Sequence, residues 1–133
     1  MEYKKPDNYA TDLKKRAYIY GLSIFKFIDI LDKRDFNVQI VARQLLRSAT
    51  SIGANIIEAQ SGSSKKDFTN FLNHALKSAN ESKFWLCLLR DSKKADKSKV
   101  EKLLQETVEL SRILGASVST LRRKRRAIKH QIT

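Results

Sequence analysis

The chain has 133 residues, of which 27 are lysine or arginine and 14 are aspartate or glutamate, so its formal net charge is +13. A chain of this length forms about one domain, which can bury a core without metal or disulfide support. Its single cysteine excludes an intramolecular disulfide. So high a charge costs stability through self-repulsion, which favours a polyanionic partner over a surface that merely aids solubility.

No targeting or membrane-spanning segment is visible in the sequence. The first ten residues, MEYKKPDNYA, have no apolar stretch after the early lysines, as a secretory signal would have. The longest uncharged run, residues 48–57, is well short of the roughly 18 residues expected of a membrane span. We therefore expect a cytoplasmic protein without a membrane partner.

Apolar residues recur at spacings of three and four along nearly the whole chain, which predicts helices. The first helix is predicted at about residues 10–33, with an apolar stripe from Leu13 through Tyr20 to Leu31 and an end near the charged sequence DKRD. The second is predicted at about residues 37–60 and ends at the sequence SGSS.

The third helix is predicted at about residues 64–91 and the fourth at about residues 98–121. Ser64 is expected to cap the third helix, and Ser98 with Glu101 to form a capping box at the start of the fourth. Short connections make successive helices antiparallel. The predicted fold is therefore all-α, an up-down-up-down four-helix bundle of residues 1–121 followed by a basic C-terminal extension, residues 122–133.

Two of the predicted helices are more apolar than a four-helix bundle needs. The sequences AYIYGLSIF and FWLCLL are apolar around most of the helix circumference. This predicts self-association, since the alternative, a central helix buried on several sides, has no place in such a bundle. A core-facing stripe would leave these side chains pointing elsewhere: Tyr18, Ile19, Phe25, Trp85 or Leu88.

The sequence RSATSIGANIIEA, residues 47–59, combines a polar stripe with many small residues. On a helix, Arg47, Ser51, Asn55 and Glu58 share one face. The neighbouring serine, alanine and glycine residues would allow another helix to approach closely, a packing role rather than a chemical one. Asn55 and Glu58 are also candidates to bond the backbone of the turn QSGSSK.

No catalytic arrangement is recognisable. With helices two and three antiparallel about Gly62, Glu58 is expected beside Lys66 and Glu81 beside Arg43, so the two carboxylates lie about 22 Å apart. An acid and base pair of the glycosidase type needs about 5 to 10 Å. The histidines lack the glutamate three positions earlier that a di-iron site needs, and the glycines form no phosphate-binding loop. We expect neither enzyme activity nor a cofactor or metal.

The strongest concentration of positive charge is the sequence LRRKRRAIKH, residues 121–130. If the helix continues, Arg122, Arg126 and Lys129 share a face; if it frays, the tail is a mobile polycation. Either form suits phosphate backbones, and six cations exceed what a helix C-terminus needs for favourable placement of charge. The candidate nucleic-acid-binding residues are Arg43, Arg47, Lys65, Lys66, Arg122, Arg123, Lys124, Arg125, Arg126 and Lys129.

The sequence RSATSIGANIIEAQSGSSKKDFTNFLNHALKSANESKFWLCLL, residues 47–89, resembles the four-helix-bundle family of 23S ribosomal RNA intervening-sequence proteins, the S23 type. Ile57 and Ala59 depart from the family, which usually has alanine and glycine there. The resemblance implies a homopentameric barrel with a central channel. It also implies kinship with the basic accessory proteins of diversity-generating retroelements, which bind nucleic acid and a reverse transcriptase. The matching residues are Arg47, Ser51, Ile52, Asn55, Ile56, Glu58 and Phe68.

The predicted function is that of a non-enzymatic, basic, oligomeric protein. It would bind RNA or RNA/DNA hybrids, with DNA as a further candidate partner, through phosphate contacts with little sequence specificity. The alternative is a protein-interaction accessory subunit of a retroelement reverse transcriptase, in which the charge only assists. A neighbouring reverse transcriptase gene would favour the alternative, and an open reading frame inside a ribosomal RNA insert would favour the RNA binder.

Overall fold

The structure, a computed structural model, describes residues 9–62 and 64–132. These residues form four helices and no strand: α1 (Tyr9–Asp29), α2 (Phe36–Gln60), α3 (Lys65–Asp91) and α4 (Lys97–Ile132). Each helix packs against the next, and α1 also contacts α4, though less extensively than its other neighbour α2. The predicted all-α helical bundle is thereby confirmed. Residues 1–8 and Thr133, assigned from the sequence to the bundle and the extension, lie outside the described residues.

Each of two helix starts is capped by a polar side chain that accepts a hydrogen bond from a backbone N–H group. Ser64 accepts the N–H of Asp67 at 3.1 Å, so the predicted cap of α3 is confirmed. The predicted capping box of Ser98 at the start of α4 is wrong. Asp96 accepts the N–H of Lys99 at 3.3 Å and the Ser98 hydroxyl at 2.7 Å, because its carboxylate is well placed at the positive end of the helix dipole.

Two helix ends differ from their predicted positions. α1 ends at Asp29 rather than near residue 33, because the ammonium group of Lys33 folds back and donates to the carbonyls of Ile28 and Asp29 at 2.8 and 3.0 Å. The Ile28 carbonyl also accepts the N–H of Leu31 at 3.1 Å, so the last turn of α1 is tightened and the bonds from Lys33 add to it. α4 does not end at residue 121 but continues to Ile132, since residues 122–132 contain good helix formers and neither glycine nor proline.

Small residues let the helices approach closely, the packing role expected of residues 47–59. A Cβ atom built on Gly53 would lie 3.7 Å from the Cβ of Ala17, so α1 and α2 nearly touch there. Ala49 on α2 and Ala75 and Ala79 on α3 are fully buried. Larger aliphatic side chains such as those of the leucines and isoleucines fill the remaining core.

A layer of hydroxyl groups crosses this apolar core, with one buried residue from each helix: Tyr20, Ser48, Ser82 and Thr107. Thr107 donates to the Leu103 carbonyl at 2.7 Å, so its oxygen accepts the proton of the Tyr20 hydroxyl at 2.6 Å. Ser82 donates to the Ser78 carbonyl at 2.9 Å, and lies 2.9 Å from the hydroxyl of Ser48. The spacing of apolar residues had placed Tyr20 in a purely apolar stripe.

Candidate nucleic-acid interface

The α2–α3 turn and the end of α4 lie at the same end of the molecule. α3 and α4 run antiparallel: Ser111 donates to the Oδ1 atom of Asn80 at 2.8 Å, and a Cβ atom on Gly115 would lie 3.9 Å from Leu76. Extending this register towards the C-terminus of α4 brings residues 122–126 level with the first turn of α3. Eight of the ten predicted residues are therefore grouped at one end of the molecule: Lys65, Lys66, Arg122, Arg123, Lys124, Arg125, Arg126 and Lys129.

We call these eight residues the basic end. All eight side chains are exposed. Lys65, Lys66 and the five cations of residues 122–126 form no ion pair within the described parts of the chain. Because α4 is helical throughout, Arg122, Arg126 and Lys129 do share a face. A phosphate backbone would meet this concentration of exposed positive charge here.

The other two predicted residues, Arg43 and Arg47, do not belong to this group. Arg47 donates to Glu81 at 2.6 Å and to the side chain of Gln44 at 3.1 Å. Glu81 follows Lys65 by sixteen residues on α3, which is about 24 Å along the helix axis. Arg47 thus already has a carboxylate partner, at mid-height on the bundle.

This ion pair corrects the expected register, in which Glu81 stood beside Arg43. Side chains lean towards the N-terminus of their own helix, so in an antiparallel pair the residues that meet are offset from those at equal height. The Arg47 guanidinium therefore reaches Glu81, one helical turn beyond the expected position.

Two side chains of the polar stripe of α2, those of Ser51 and Asn55, bond to their own helix rather than to the turn. Ser51 donates to the Arg47 carbonyl at 2.7 Å, and Asn55 donates to the Ser51 carbonyl at 2.8 Å. The expected bond from Asn55 to the QSGSSK backbone is therefore replaced by a local one, since the i−4 carbonyl is within reach of a short side chain. Glu58 is exposed.

Exposed apolar side chains lie on α1 and α2. Tyr18, Leu22, Phe25 and Ile57 line an open groove of about 410 Å³ whose floor includes Gly53. Four of the five side chains expected to point away from the core are indeed exposed: Tyr18, Ile19, Phe25 and Leu88.

Trp85 is the exception, because the indole is half-buried and its Nε1 atom is inaccessible to water. Phe84 is exposed instead, at 56%, and packs edge-on against the indole with ring centroids 4.9 Å apart. A rotation of α3 by one residue position decides which of two consecutive aromatic side chains faces the core.

A second groove, of about 790 Å³, opens between α1 and α4 and was missed from the sequence. Its apolar floor includes Phe27 and Leu103, while Lys26, Lys99 and Lys102 line its edges. The spacing of three between Lys99 and Lys102 is the one sequence signal that places two of these cations on one helix face.

Arg16 and Glu106 close one end of this groove. The Arg16 Nε atom lies 2.7 Å from Glu106 Oε1, and this hydrogen bond raises the pKa of the guanidinium. Since each side chain is about one-third exposed, at 38% and 35%, the pair joins α1 to α4 at the surface rather than in the core. Solvent screening makes the pair weak as a source of stability.

The family model of 23S rRNA-intervening sequence proteins matches residues 11–116. Among solved structures, the chain is similar to a protein of unknown function from the S23 ribosomal protein family of Bacteroides thetaiotaomicron. The two are 31% identical with a TM-score of 0.75, and the match covers 83% of this chain and 97% of that chain. No curated protein matches. The chain therefore belongs to the family of 23S rRNA-intervening sequence proteins.

The family match ends before the basic part of α4 begins. Of the ten predicted binding residues, Arg43, Arg47, Lys65 and Lys66 fall inside the matched range, and the six cations of α4 fall outside it. Within the described residues, no helix is long and apolar enough to cross a bilayer.

Proposed function

We propose that this protein is a basic, non-enzymatic, self-associating protein that binds RNA, DNA or their hybrid through phosphate contacts. The observation that carries the proposal is the basic end, where eight exposed cations meet and residues 65, 66 and 122–126 have no ion-pair partner in the described chain. Such a surface releases condensed counterions on binding a nucleic acid, which supplies affinity without reading sequence.

Salt dependence gives the proposal a magnitude. If about six phosphates are neutralised, affinity falls about 10³-fold between 50 and 200 mM salt. The measurement is fluorescence anisotropy of labelled single strands and duplexes at both salt concentrations.

A charge-matched pair of variants tests the place of binding. In the first, the five cations of residues 122–126 are replaced by glutamine. In the second, five cations at the opposite end of the molecule are replaced: Lys26, Lys93, Lys97, Lys99 and Lys102. We expect the first variant to lose at least tenfold more affinity than the second. Equal losses would contradict the assignment to the basic end, and no binding at 50 mM salt would refute the function.

Self-association through the apolar face of α1 is the second part of the proposal. Tyr18, Leu22 and Phe25 leave a large apolar area in water, which a second copy of the chain would cover. We infer a homopentamer, the assembly that the resemblance to the S23 family implies. Light scattering on the full chain should give about five times 15.3 kDa, and Phe25→Ser together with Leu22→Ser should lower that mass. A monomeric mass for the unmodified protein would refute self-association.

The α1–α4 groove favours a second candidate function, an accessory subunit whose partner is a protein such as a reverse transcriptase. Its apolar floor and its lysine edges suit an acidic amphipathic segment. Charge reversal of Lys26 and Lys102 should then abolish co-purification of a co-expressed reverse transcriptase while leaving RNA affinity within twofold. Loss of RNA affinity alone would contradict this second function.

A further inference from the structure

The C-terminal part of α4 extends beyond the last residues that pack this helix into the core. The apolar residues that pack α4 into the core recur every three or four positions, and the last of them are Val118 and the half-buried Leu121. On the same line of the helix the next positions are Arg125 and Ile128, and both are exposed, Ile128 at 50%. No side chain from residue 122 to 131 is buried by any described part of the chain. Residues 122–131 are therefore a helical segment whose side chains are all exposed, with residues 122–126 level with the first turn of α3.

Cations surround this helix rather than lining one side. At 100° per residue, the six cations of residues 122–129 leave no sector wider than about 100° without a positive charge. A helix that lies flat on a phosphate surface would use only the charges on one side. A distribution around the circumference suits a helix with phosphates on both flanks.

We infer that residues 122–132 enter the major groove of B-form duplex DNA, an inference that rests on the proposed nucleic-acid binding at the basic end. The major groove of B-DNA is about 12 Å wide, and an α-helix with its side chains is about 10–12 Å across. The two phosphate strands that border the groove then flank the helix on both sides. At about 1.5 Å per residue this segment is about 16 Å long, so its cations span several base pairs.

Duplex RNA presents a different shape to the same helix. The major groove of A-form RNA is deep and too narrow for side chains to read. The helix could contact such a duplex only from outside, with the cations of one side. We therefore expect the full-length protein to prefer duplex DNA over duplex RNA, although both carry the same phosphate charge per strand.

The deciding experiment compares three 20-base-pair duplexes of one sequence, DNA, RNA and the hybrid, by fluorescence anisotropy with the full chain. We expect DNA to bind at least tenfold more tightly than RNA, with the hybrid between them. Dimethyl sulfate footprinting should show protection of guanine N7, which faces the major groove, and not of adenine N3, which faces the minor groove.

The variant Ala127→Pro tests the role of the helical conformation separately from the role of the positive charge. Proline in this position removes a helical hydrogen bond and breaks the segment while every cation remains. The change lies outside the packed core, which circular dichroism and thermal unfolding can verify. The DNA preference should fall to less than threefold in this variant and persist in the control Ala127→Gln, which keeps the helix.

The outcomes distinguish this inference from the function on which it rests. Equal affinity for DNA and RNA, tighter binding of RNA, or an unchanged preference in Ala127→Pro would overturn groove insertion while leaving nucleic-acid binding in place. Protection of adenine N3 alone would also overturn it. No binding to any duplex or single strand at 50 mM salt would instead overturn the proposed function.

Discussion

The hydroxyl of Tyr20 makes the stability of the bundle depend on pH in the alkaline range. Its side chain is 1% exposed, and this burial raises the pKa of the phenol to about 12, although hydrogen bonds with Thr107 and Ser82 oppose the shift. The folded protein therefore holds the phenolic proton more tightly than the unfolded chain. The stabilisation that the protonated Tyr20 phenol contributes to the folded state is fully present below pH 10 and is lost as the pH rises through 12.

The size of the effect follows from the two pKa values. A shift of about two units is worth about 2.7 kcal/mol, of which about 2.3 kcal/mol is lost by pH 12. In Tyr20→Phe this loss disappears, and so does one hydrogen bond to Thr107, which is worth about 1 kcal/mol. Thr107 keeps its own bond to the Leu103 carbonyl, so no donor is left without a partner.

Tyr20→Phe should consequently reverse the order of stability. The unmodified protein is expected to be more stable by about 1 kcal/mol at pH 8, and the variant more stable by about 1 kcal/mol at pH 12. The measurement is urea unfolding of both proteins at intervals from pH 8 to 12, because the difference between them cancels the titration of the lysines. A constant difference between the unmodified protein and Tyr20→Phe across this range would refute the reasoning.

Three further tests of the bundle, with five substitutions in all, use urea unfolding. Gly21→Ala should raise the free energy of unfolding by about 0.5–1 kcal/mol, since a Cβ atom there meets nothing within 4 Å; a loss would mean that the position is covered. Asp96→Ala should cost about 1 kcal/mol and Ser98→Ala less than half of that, in contrast to a Ser98 cap. Leu110→Ala should cost about 2–5 kcal/mol, whereas Val108→Ala, at an exposed position of the same helix, should cost less than about 1 kcal/mol; similar losses would contradict the core assignment.

Features that depend on neighbours in the sequence were predicted well. The four helices follow from apolar residues at spacings of three and four, because each helix must bury one face along its own length. The Ser64 cap is equally local, since its oxygen reaches an N–H three residues ahead. The choice of Asp96 over Ser98 was not predictable in this way, because both residue types favour caps and the path of the preceding loop selects between them.

The basic end is determined partly by the local sequence and partly by the tertiary structure. Its charge and the sequence RRKRR are visible in the sequence, and so are the lysines that follow Ser64. Their grouping at one end, and the separation of Arg47 from them, depend on how α3 packs against α2 and α4. A residue list alone could not distinguish the eight grouped cations from the two on the side of the bundle.

The sequence by itself therefore determined the helices, the family and the surplus of positive charge, since these rest on local spacing and composition. The tertiary structure alone decided which side chains meet. Tyr20, Ser48, Ser82 and Thr107 form one buried layer only because four helices come together at one height. It also decided that Phe84 rather than Trp85 is exposed and that Arg47 pairs with Glu81, because helix rotation and register are set by the packing of whole helices.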